Sequence, residues 1–340
     1  TSGSVSLATL KGNIVAALVM LDAVPTFADD TGLCFLPLSH SLQRIVSYHA
    51  LWHGIEGRFA RSLDTLAEDL LACAPTVVAA VPRIFEKVYA RIQEQAAAGS
   101  PAKKRIFDWA MSVGRRVSKL RQAHEPVPTW LDAQYRLAKR LVFDKLRARL
   151  GGRIRIFVTG GAPIAREILE FFDSADITIL EGWGMTETTA TGTANLPGAQ
   201  RFGSIGRPLE GVQMRLDSDG EILIRGGQVF HGYHKDDQAT RESFTEDGYF
   251  RTGDIGKVDD DGYFYIVDRK KDILITAGGK NVAPQNIENL LKSDSRISQV
   301  VVVGDRQPYL AALIAIAPEL RKDKSASELI FIVDGIVKKR

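Results

Sequence analysis

The first half of the chain alternates short, continuous apolar runs with longer stretches in which apolar residues recur at helical spacing. Three of the runs are TVVAAVP at 76–82, RIRIFVTGG at 153–161 and ITILEGWG at 177–184. Runs of this length, bounded by glycine or proline, are typical of strands that are buried on both faces of a parallel sheet. The pattern predicts an α/β domain in which helices separate the strands.

From about Phe202 onward the hydrophobic pattern changes to short alternating segments separated by Asp-Gly pairs. Alternation with a period of two, interrupted by Asp-Gly, predicts antiparallel hairpins. The hairpin segments are 217–226, 246–254 and 259–268. We therefore predict a β-rich subdomain over residues 202–268.

After Arg269 the pattern indicates a small unit with a glycine turn, one helix and two strands, at 275–280, 284–294, 299–305 and 309–318. The predicted organisation is thus a large domain over 1–270 and a small domain over 271–340.

Composition adds little that is unusual. The chain has 340 residues, of which 45% are hydrophobic, and only two cysteines, Cys34 and Cys73, without CxxC spacing. This cysteine usage supports neither a disulfide framework nor a zinc site and favours a reducing compartment, so we expect the cytoplasm. No apolar run approaches the roughly 18 residues that a membrane span needs, and the N-terminus lacks a signal-peptide pattern.

The net charge of +3 is distributed unevenly. Residues 101–150 contain 13 Lys/Arg and 4 Asp/Glu, so this segment carries +9 and the remainder −6. Within it, six apolar residues recur near helical spacing between the basic ones: Ile106, Trp109, Ala110, Val113, Val117 and Leu120. A basic amphipathic helix is predicted, either with a packed stripe and a solvated face or in peripheral contact with an anionic membrane. We expect no nucleic-acid binding, since no recognition motif accompanies the charge.

The segment EGWGMTETTA, Glu181–Ala190, is the strongest candidate for chemistry. Thr186 and Glu187 place a hydroxyl beside a carboxylate, which suits a phosphate oxygen and its Mg²⁺. Trp183, between Gly182 and Gly184, offers a flat apolar surface for a planar base. Taken alone, the segment could equally be a strand-to-turn junction with incidental polar residues.

Four further segments accompany it in order: FVTGGAP at 157–163, GSIGRP at 203–208, YFRTGDIG at 249–256 and DGYFYIVDRKKDILITAGGKNVAP at 261–284. Together the five segments closely resemble the core motifs of the adenylate-forming superfamily of acyl-CoA synthetases, aryl-CoA ligases and luciferases. LPLSH at 36–40 and VPRIFEKVY at 81–89 resemble its bacterial long-chain fatty acyl-CoA synthetase branch. The implied fold is a large α/β domain, its first part absent here, with a β-rich subdomain and a small mobile α+β domain.

The resemblance implies a two-step reaction. A fatty carboxylate attacks the α-phosphate of ATP, giving acyl-AMP and pyrophosphate, and coenzyme A then forms acyl-CoA and releases AMP. ATP, Mg²⁺ and coenzyme A are thus expected ligands. One alternative is a fatty acyl-AMP ligase that loads an acyl-carrier protein; such enzymes carry an insertion, and none appears between Asp254 and Lys280. Another is a catalytically silent nucleotide- or acyl-binding protein.

The resemblance also implies roles for individual residues. Thr186 corresponds to the threonine that binds the α-phosphate, and Glu187 to the Mg²⁺ ligand. Asp254 corresponds to the carboxylate that accepts both ribose hydroxyls, a task suited to a group with acceptors only, and Arg269 is expected on the same ribose.

Adenine would be bordered by Gly160, Gly161 and Ala162, while Trp183 stacks on it; close packing alone is the alternative. His40 corresponds to a position beside the reacting carboxylate and the thiol route, as a gate or general base, or else as a structural histidine. Lys271 lies at the family's hinge. Gly278 and Gly279 would line the channel for the pantetheine arm.

Both ends depart from the family pattern. Thr1, Ser2 and Gly3 match the start of the phosphate loop, but Ser4 is followed directly by a segment that resembles what comes after the loop. Our hypothesis is that the loop and other segments are missing from the numbered chain. The family's C-terminal lysine motif is not reproduced, and Lys338 and Lys339 are interpreted as solvated charges. The absence of both lysines motivates the silent-protein alternative.

Overall fold

The structure, a computed structural model, describes residues 10–292, 294, 296–321 and 324–339. Thr1, Ser2 and Gly3 therefore lie outside the described residues. The chain forms two compact units. The first runs to Arg215 and also contains Leu223–Arg251 and Val258–Tyr265, and the second contains Leu216–Ile222, Thr252–Lys257 and the chain from Ile266 onward. The domain boundary after residue 270 stays a prediction.

The first unit begins with an α/β sequence of elements: α1 (Leu10–Leu21), β1 (Thr31–Cys34), α2 (Ser41–Trp52), β2 (Glu56–Phe59), α3 (Leu66–Cys73), β3 (Val77–Ala80), α4 (Pro82–Ala97), α5 (Pro101–Gln122), α6 (Thr129–Ala138), α7 (Asp144–Ala148), β4 (Ile156–Thr159), α8 (Arg166–Ser174), β5 (Thr178–Trp183), β6 (Thr193–Ala194) and β7 (Arg207–Pro208). The predicted buried strands are confirmed as β3, β4 and β5. A π-helical turn, Lys139–Phe143, joins α6 to α7.

The strands of this unit form one seven-stranded sheet in the order β2-β1-β3-β4-β5-β6-β7. The first five strands are parallel, whereas β6 and β7 pair in antiparallel fashion. The parallel strands carry continuous apolar runs because helices pack on the sheet, as in other α/β domains. Its main core includes edge-to-face aromatic contacts, such as Phe85 with Phe157 and Phe172.

The predicted basic helix is confirmed as α5, and its apolar stripe is packed. Ala110, Val113 and Val117 are buried in the main core, whereas Ile106 is 44% exposed. A Cβ on Gly114 would lie 2.5 Å from the Ser174 carbonyl oxygen, so α5 and α8 approach closely. The stripe is therefore used for folding, and the basic residues form the outer face. No helix in the described part of the chain is both long and apolar enough to cross a membrane.

The predicted hairpin region contains β8 (Gln213–Leu216), β9 (Glu221–Arg225), α9 (Asp237–Glu242), β10 (Phe250–Val258) and β11 (Phe264–Arg269). Its strands form a four-stranded sheet in the order β11-β10-β9-β8. The three strands expected after the Asp-Gly pairs are therefore confirmed.

The second unit continues with β12 (Leu274–Ile275), β13 (Asn281–Val282), α10 (Pro284–Lys292), β14 (Ile297–Val303), β15 (Ala311–Ile316), α11 (Pro318–Arg321) and α12 (Ala326–Lys339). β12 and β13 flank the expected glycine turn, with Gly279 at φ +76°, and β14 pairs with β15. Leu291, Val300 and Ile336 form part of the core of this unit. Lys338 is exposed near the C-terminus, as expected.

A buried polar cluster joins the amino ends of three central strands. Asp30, Thr76 and Arg155 each directly precede a strand: β1, β3 and β4 respectively. Asp30 is 3% exposed and accepts hydrogen bonds from the Thr76 hydroxyl at 2.6 Å and from Arg155. The Thr76 Oγ1 accepts the Thr31 N–H at 2.9 Å. Although burial opposes it, hydrogen bonds from Thr76 and Arg155 hold the pKa of Asp30 below its usual value.

Asp30→Asn tests this cluster, because the substitution removes the charge and leaves the Arg155 guanidinium without its carboxylate partner. We expect the free energy of unfolding to fall by about 2–4 kcal/mol, somewhat less than for a fully buried ion pair because Arg155 is partly exposed. Urea unfolding followed by circular dichroism measures the change. Asp29→Asn, at the exposed neighbouring carboxylate, is the matched control; equal losses in the two variants would contradict the cluster's role.

Candidate active site

The predicted site residues of the first unit lie at one edge of the parallel sheet. His40 follows β1, Gly160 and Ala162 follow β4, and Thr186 and Glu187 follow β5. Because these strands are parallel, their carboxyl ends meet at the same edge. Ligands of open α/β sheets bind at this edge. The fold therefore gathers residues that are far apart in the sequence.

The loops after β4 and β5 pack against each other through backbone. The pairing of Thr159 with Glu181 brings Gly160 beside Gly182, and a Cβ on Gly160 would lie 2.9 Å from the Gly182 carbonyl oxygen. Gly160 is thus closely packed, which is one of the two roles predicted for these residues; the other is contact with adenine. Gly161 and Ala162 are exposed instead. Their contact with adenine stays a prediction.

The Thr186–Glu187 pair forms a short 3₁₀ turn directly after β5. Thr186 is exposed and Glu187 half-buried. The Tyr233 hydroxyl donates to the Glu187 carboxylate at 3.1 Å, and the Glu187 carbonyl accepts the Phe230 N–H at 2.8 Å. Burial and the neighbouring carboxylate raise the pKa of Tyr233 to about 12, so the phenol keeps its proton as a donor. The carboxylate is thereby held in one orientation beside an accessible hydroxyl.

The turn is closed by an unusual backbone conformation. Thr189 and Ala190 both have positive φ, at 53° and 58°, a region that costs non-glycine residues about 1 kcal/mol or more. A Cβ on Gly184 would lie 2.4 Å from the Ala190 carbonyl carbon. Only glycine at position 184 allows the two ends of the loop to come this close.

Glu181 stands at the end of β5 in a poorly solvated position. Its carboxylate accepts the Gly203 N–H at 3.2 Å. Burial raises the pKa of Glu181 to about 8, an effect that the Gly203 hydrogen bond only partly offsets. The carboxyl group is therefore mostly protonated at neutral pH, and it presents a hydroxyl as well as an acceptor at this edge.

Trp183 is half-buried and packs on a hydrophobic cluster that includes Leu209, Ile224 and Phe230. A Cβ on Gly192 would lie 2.9 Å from the Trp183 ring, so the glycine backbone packs against the indole. The ring is thereby held in place, as a stacking platform requires, while stacking on adenine stays a prediction.

His40 is the N-terminal cap of α2. Its Nδ1 accepts the Leu42 N–H at 3.3 Å. While this bond is made, Nδ1 carries no proton, and a neutral ring has its proton on Nε2. This tautomer makes Nε2 a donor. The Cε1 atom also lies 3.9 Å from the position of a Cβ on Gly161, so the ring is beside the loop after β4.

In the second unit the two predicted ribose ligands are brought together. Asp254 on β10 is buried, and its Oδ1 accepts from Nε of Arg269, at the end of β11, at 2.9 Å.

The residue after Arg269, Lys270, pairs with Asp219 at 2.6 Å and Glu221 at 2.9 Å. Lys271 is exposed and lies within the turn that begins at Lys270. The chain is therefore anchored up to the residue before the predicted hinge.

Gly278 and Gly279 lie in the turn between β12 and β13, and both are exposed. A Cβ at either position would meet nothing within 4 Å. The positive φ of Gly279 explains why a glycine occupies this position of the turn. Their role beside pantetheine stays a prediction.

Sequence reasoning missed two residues that organise the site. Tyr233 lies 46 residues from its partner Glu187, and its only sequence signal is a polar, glycine-preceded tyrosine. Asn195 is buried; its amide donates to the Ser204 carbonyl at 2.8 Å and its Oδ1 accepts the Arg201 N–H at 2.8 Å. Asn195 thus shapes the loop that supplies the Gly203 N–H to Glu181.

The architecture is that of the adenylate-forming enzyme fold. A solved structure of O-succinylbenzoate coenzyme A synthetase from Bacillus subtilis, in complex with AMP, matches 99% of this chain and 59% of its own chain, with a TM-score of 0.67 and 20% identity. The adenylation domain of a carboxylate reductase from Mycobacterium chelonae matches with a TM-score of 0.69 and 24% identity, over 92% of this chain and 46% of that one.

Residues 8–234 match the family described as AMP-binding enzyme, and residues 271–339 match its C-terminal domain. With both parts matched, the chain belongs to the AMP-binding enzyme family.

Among similar proteins, the long-chain-fatty-acid–CoA ligase FadD15 of Mycobacterium bovis is 44% identical over 84% of this chain and 47% of its own length. Human long-chain-fatty-acid–CoA ligase 1 is 35% identical over 84% of this chain and 41% of its own length. The chain thus spans about half the length of these relatives.

Gly184→Ala is expected to disrupt the turn, because its Cβ would meet the Ala190 backbone, which cannot move as a flexible side chain would. We expect a loss of about 1–3 kcal/mol in unfolding free energy, measured by urea unfolding. Gly57→Ala, where a Cβ would meet nothing within 4 Å, should differ from the native chain by much less. A stable Gly184→Ala variant would mean that the loop closes differently.

Glu181→Gln should change how stability depends on pH. Between pH 4.5 and about 8, unfolded Glu181 has lost its proton while the native carboxyl keeps it, so rising pH favours unfolding. The native chain should therefore lose stability relative to Glu181→Gln across this window, with a slope of at most about 1.4 kcal/mol per pH unit. Urea unfolding at several pH values measures the difference. Glu210→Gln, at an exposed carboxylate, should show no such divergence.

Proposed function

We propose that this chain is part of an ATP-dependent acyl-CoA synthetase that acts on long-chain fatty acids. The observation that carries this proposal is the similarity, at 35–44% identity, to proteins named long-chain-fatty-acid–CoA ligases. In the proposed reaction a carboxylate oxygen attacks the α-phosphate of ATP and expels pyrophosphate. The coenzyme A thiol then attacks the acyl carbon and expels AMP.

The turn after β5 fits a divalent ion and a phosphate. Mg²⁺ prefers oxygen ligands and is usually held by one or two carboxylates together with substrate phosphates. Glu187 offers an oriented carboxylate, and the neighbouring Thr186 offers an exposed hydroxyl for a phosphate oxygen. When bound, the ion neutralises charge on the phosphate oxygens. In this proposal Glu187 is its ligand and Tyr233 is a positioning residue.

The Asp254–Arg269 pair supports binding of the ribose. A buried carboxylate can accept two hydroxyl hydrogen bonds at once, and the Arg269 guanidinium keeps Asp254 oriented from the adjacent strand. Ribose hydroxyls would donate to this oriented carboxylate without adding charge to it.

The hydrogen bond at Nδ1 favours one role for His40. Because Nδ1 already accepts the Leu42 N–H, Nε2–H is available as a donor to a carboxylate or thioester oxygen. The geometry supports a gate or donor rather than a general base. Proton abstraction by Nδ1 would require the helix cap to open.

The connection between β11 and β12 supports coenzyme A as the acceptor. Only residues 270–273 separate these strands, so the insertion that typifies acyl-AMP ligases is absent from this described stretch. An exposed Lys271 directly after the anchored Lys270 suits a hinge, since torsion changes there disturb few contacts. Gly278 and Gly279 could then present backbone to the pantetheine arm.

The test is to measure pyrophosphate release and acyl-CoA formation with ATP, Mg²⁺ and fatty acids of graded length, with and without coenzyme A. Thioester formation that is greatest with long chains is expected. Glu187→Gln should lower Mg²⁺-dependent pyrophosphate release by about 100-fold, because one preorganised charge is lost at the phosphates.

Glu246→Gln, at an exposed carboxylate of the same unit, is the control and should retain activity. Pyrophosphate without thioester would favour an acyl-AMP ligase. ATP binding with neither product would indicate a catalytically silent binding protein.

A further inference from the structure

A second group of potential ligand side chains lies at the far end of α2. His49 is in the last turn of this helix, His53 is its C-terminal cap and Asp22 directly follows α1. Nε2 of His49 lies 3.3 Å from Oδ1 of Asp22, and Nε2 of His53 lies 2.7 Å from the same oxygen. His53 follows the candidate active-site residue His40 by thirteen positions, at the opposite end of the same helix. A helix of that length spans about 20 Å.

The helix itself brings the two imidazoles together. The His53 N–H donates to the His49 carbonyl oxygen at 3.1 Å, so the helical hydrogen-bond pattern extends to the cap residue. Residues four apart lie on one face of a helix, and here the ring centroids are 4.4 Å apart. Two histidines at this spacing on a helix are a recurrent way to hold zinc.

We propose that Asp22, His49 and His53 form a binding site for a divalent transition metal of the zinc class. The three ligand atoms lie within 4.8 Å of one another. In a tetrahedral zinc site, neighbouring nitrogen and oxygen ligands are about 3.3 Å apart, which is the observed distance between His49 and Asp22. The shorter contact of His53 needs a small opening, and its partly exposed side chain allows one.

The ligand set determines the class of metal. Imidazole nitrogen suits Zn²⁺, Co²⁺, Ni²⁺ and Cu²⁺, whereas Mg²⁺ and Ca²⁺ require sets of oxygen ligands. Among the described residues, no further His, Cys, Asp or Glu completes this group. Solvent therefore supplies the fourth ligand, because Asp22 and His53 are both partly exposed.

Metal binding at this site joins the end of α1 to the end of α2. A ligand that binds only the native state stabilises it in proportion to the logarithm of its concentration. The stabilised helix is the one whose first turn is capped by His40. The site is distinct from the Glu187 turn, where the carboxylate accepts a hydrogen bond from the Tyr233 phenol.

The experiment is a titration of the untagged chain with Zn²⁺ by calorimetry and with Co²⁺ by visible absorption. We expect one equivalent to bind, with intense Co²⁺ bands typical of low coordination number, and Zn²⁺ to raise the thermal unfolding midpoint. His49→Gln and His53→Gln should each lower the affinity at least about 10-fold, because an amide that can still donate to Asp22 replaces an imidazole ligand. Mg²⁺ should not compete.

The matched control is the double variant His231→Gln/His234→Gln, which removes two exposed histidines three residues apart and should bind as the native chain does. Unchanged affinity in the His49 and His53 variants, or no binding to the native chain, would overturn the proposal. If either variant fails to fold, Asp22→Asn provides the same test, because it preserves the shape of a partly exposed side chain while removing its charge. All readouts are independent of ligase activity.

Discussion

One buried carboxylate sets the alignment on which the rest of the first unit depends. The strands β1, β3 and β4 are each only four residues long, so their own hydrogen bonds define register weakly. Asp30 joins the residues that precede β1, β3 and β4 through Thr76 and Arg155. A shift of one residue would turn every side chain of a strand to the other face of the sheet. Alignment at the amino edge thereby determines which residues meet at the carboxyl edge.

At that carboxyl edge, backbone contacts do most of the positioning. Gly160 packs on Gly182, Gly184 packs on Ala190, and Gly192 packs on the ring of Trp183. A side chain at any of these positions would separate the strands or the loop. The polar residues of the candidate site can therefore be few, because the chain around them is already constrained. At Glu187, for example, the carboxylate is oriented by a hydrogen bond from Tyr233.

The sequence predicted those parts of the structure whose signals are local. Apolar runs identified β3, β4 and β5, and Asp-Gly pairs identified the hairpins, because neighbouring residues alone determine such patterns. The ordered motifs identified the family. The contact between Tyr233 and Glu187, and the grouping of Asp22 with His49 and His53, arise from tertiary packing between distant segments. The raised pKa of Glu181 likewise follows from burial, which a sequence does not display.

The left-handed conformations of Thr189 and Ala190 have a consequence for how the protein responds to stress. Both residues would adopt this backbone only rarely in a free peptide, so the surrounding packing must offset the cost of keeping them there. Because the strained turn depends on this packing, a local loosening of the packing lets it relax without unfolding of the whole domain. Heating or mild denaturant should therefore relax the loop that carries Thr186 and Glu187 while most helices and strands are still intact. The time for which the loop keeps its native conformation would then be shorter than the time for which the chain stays folded.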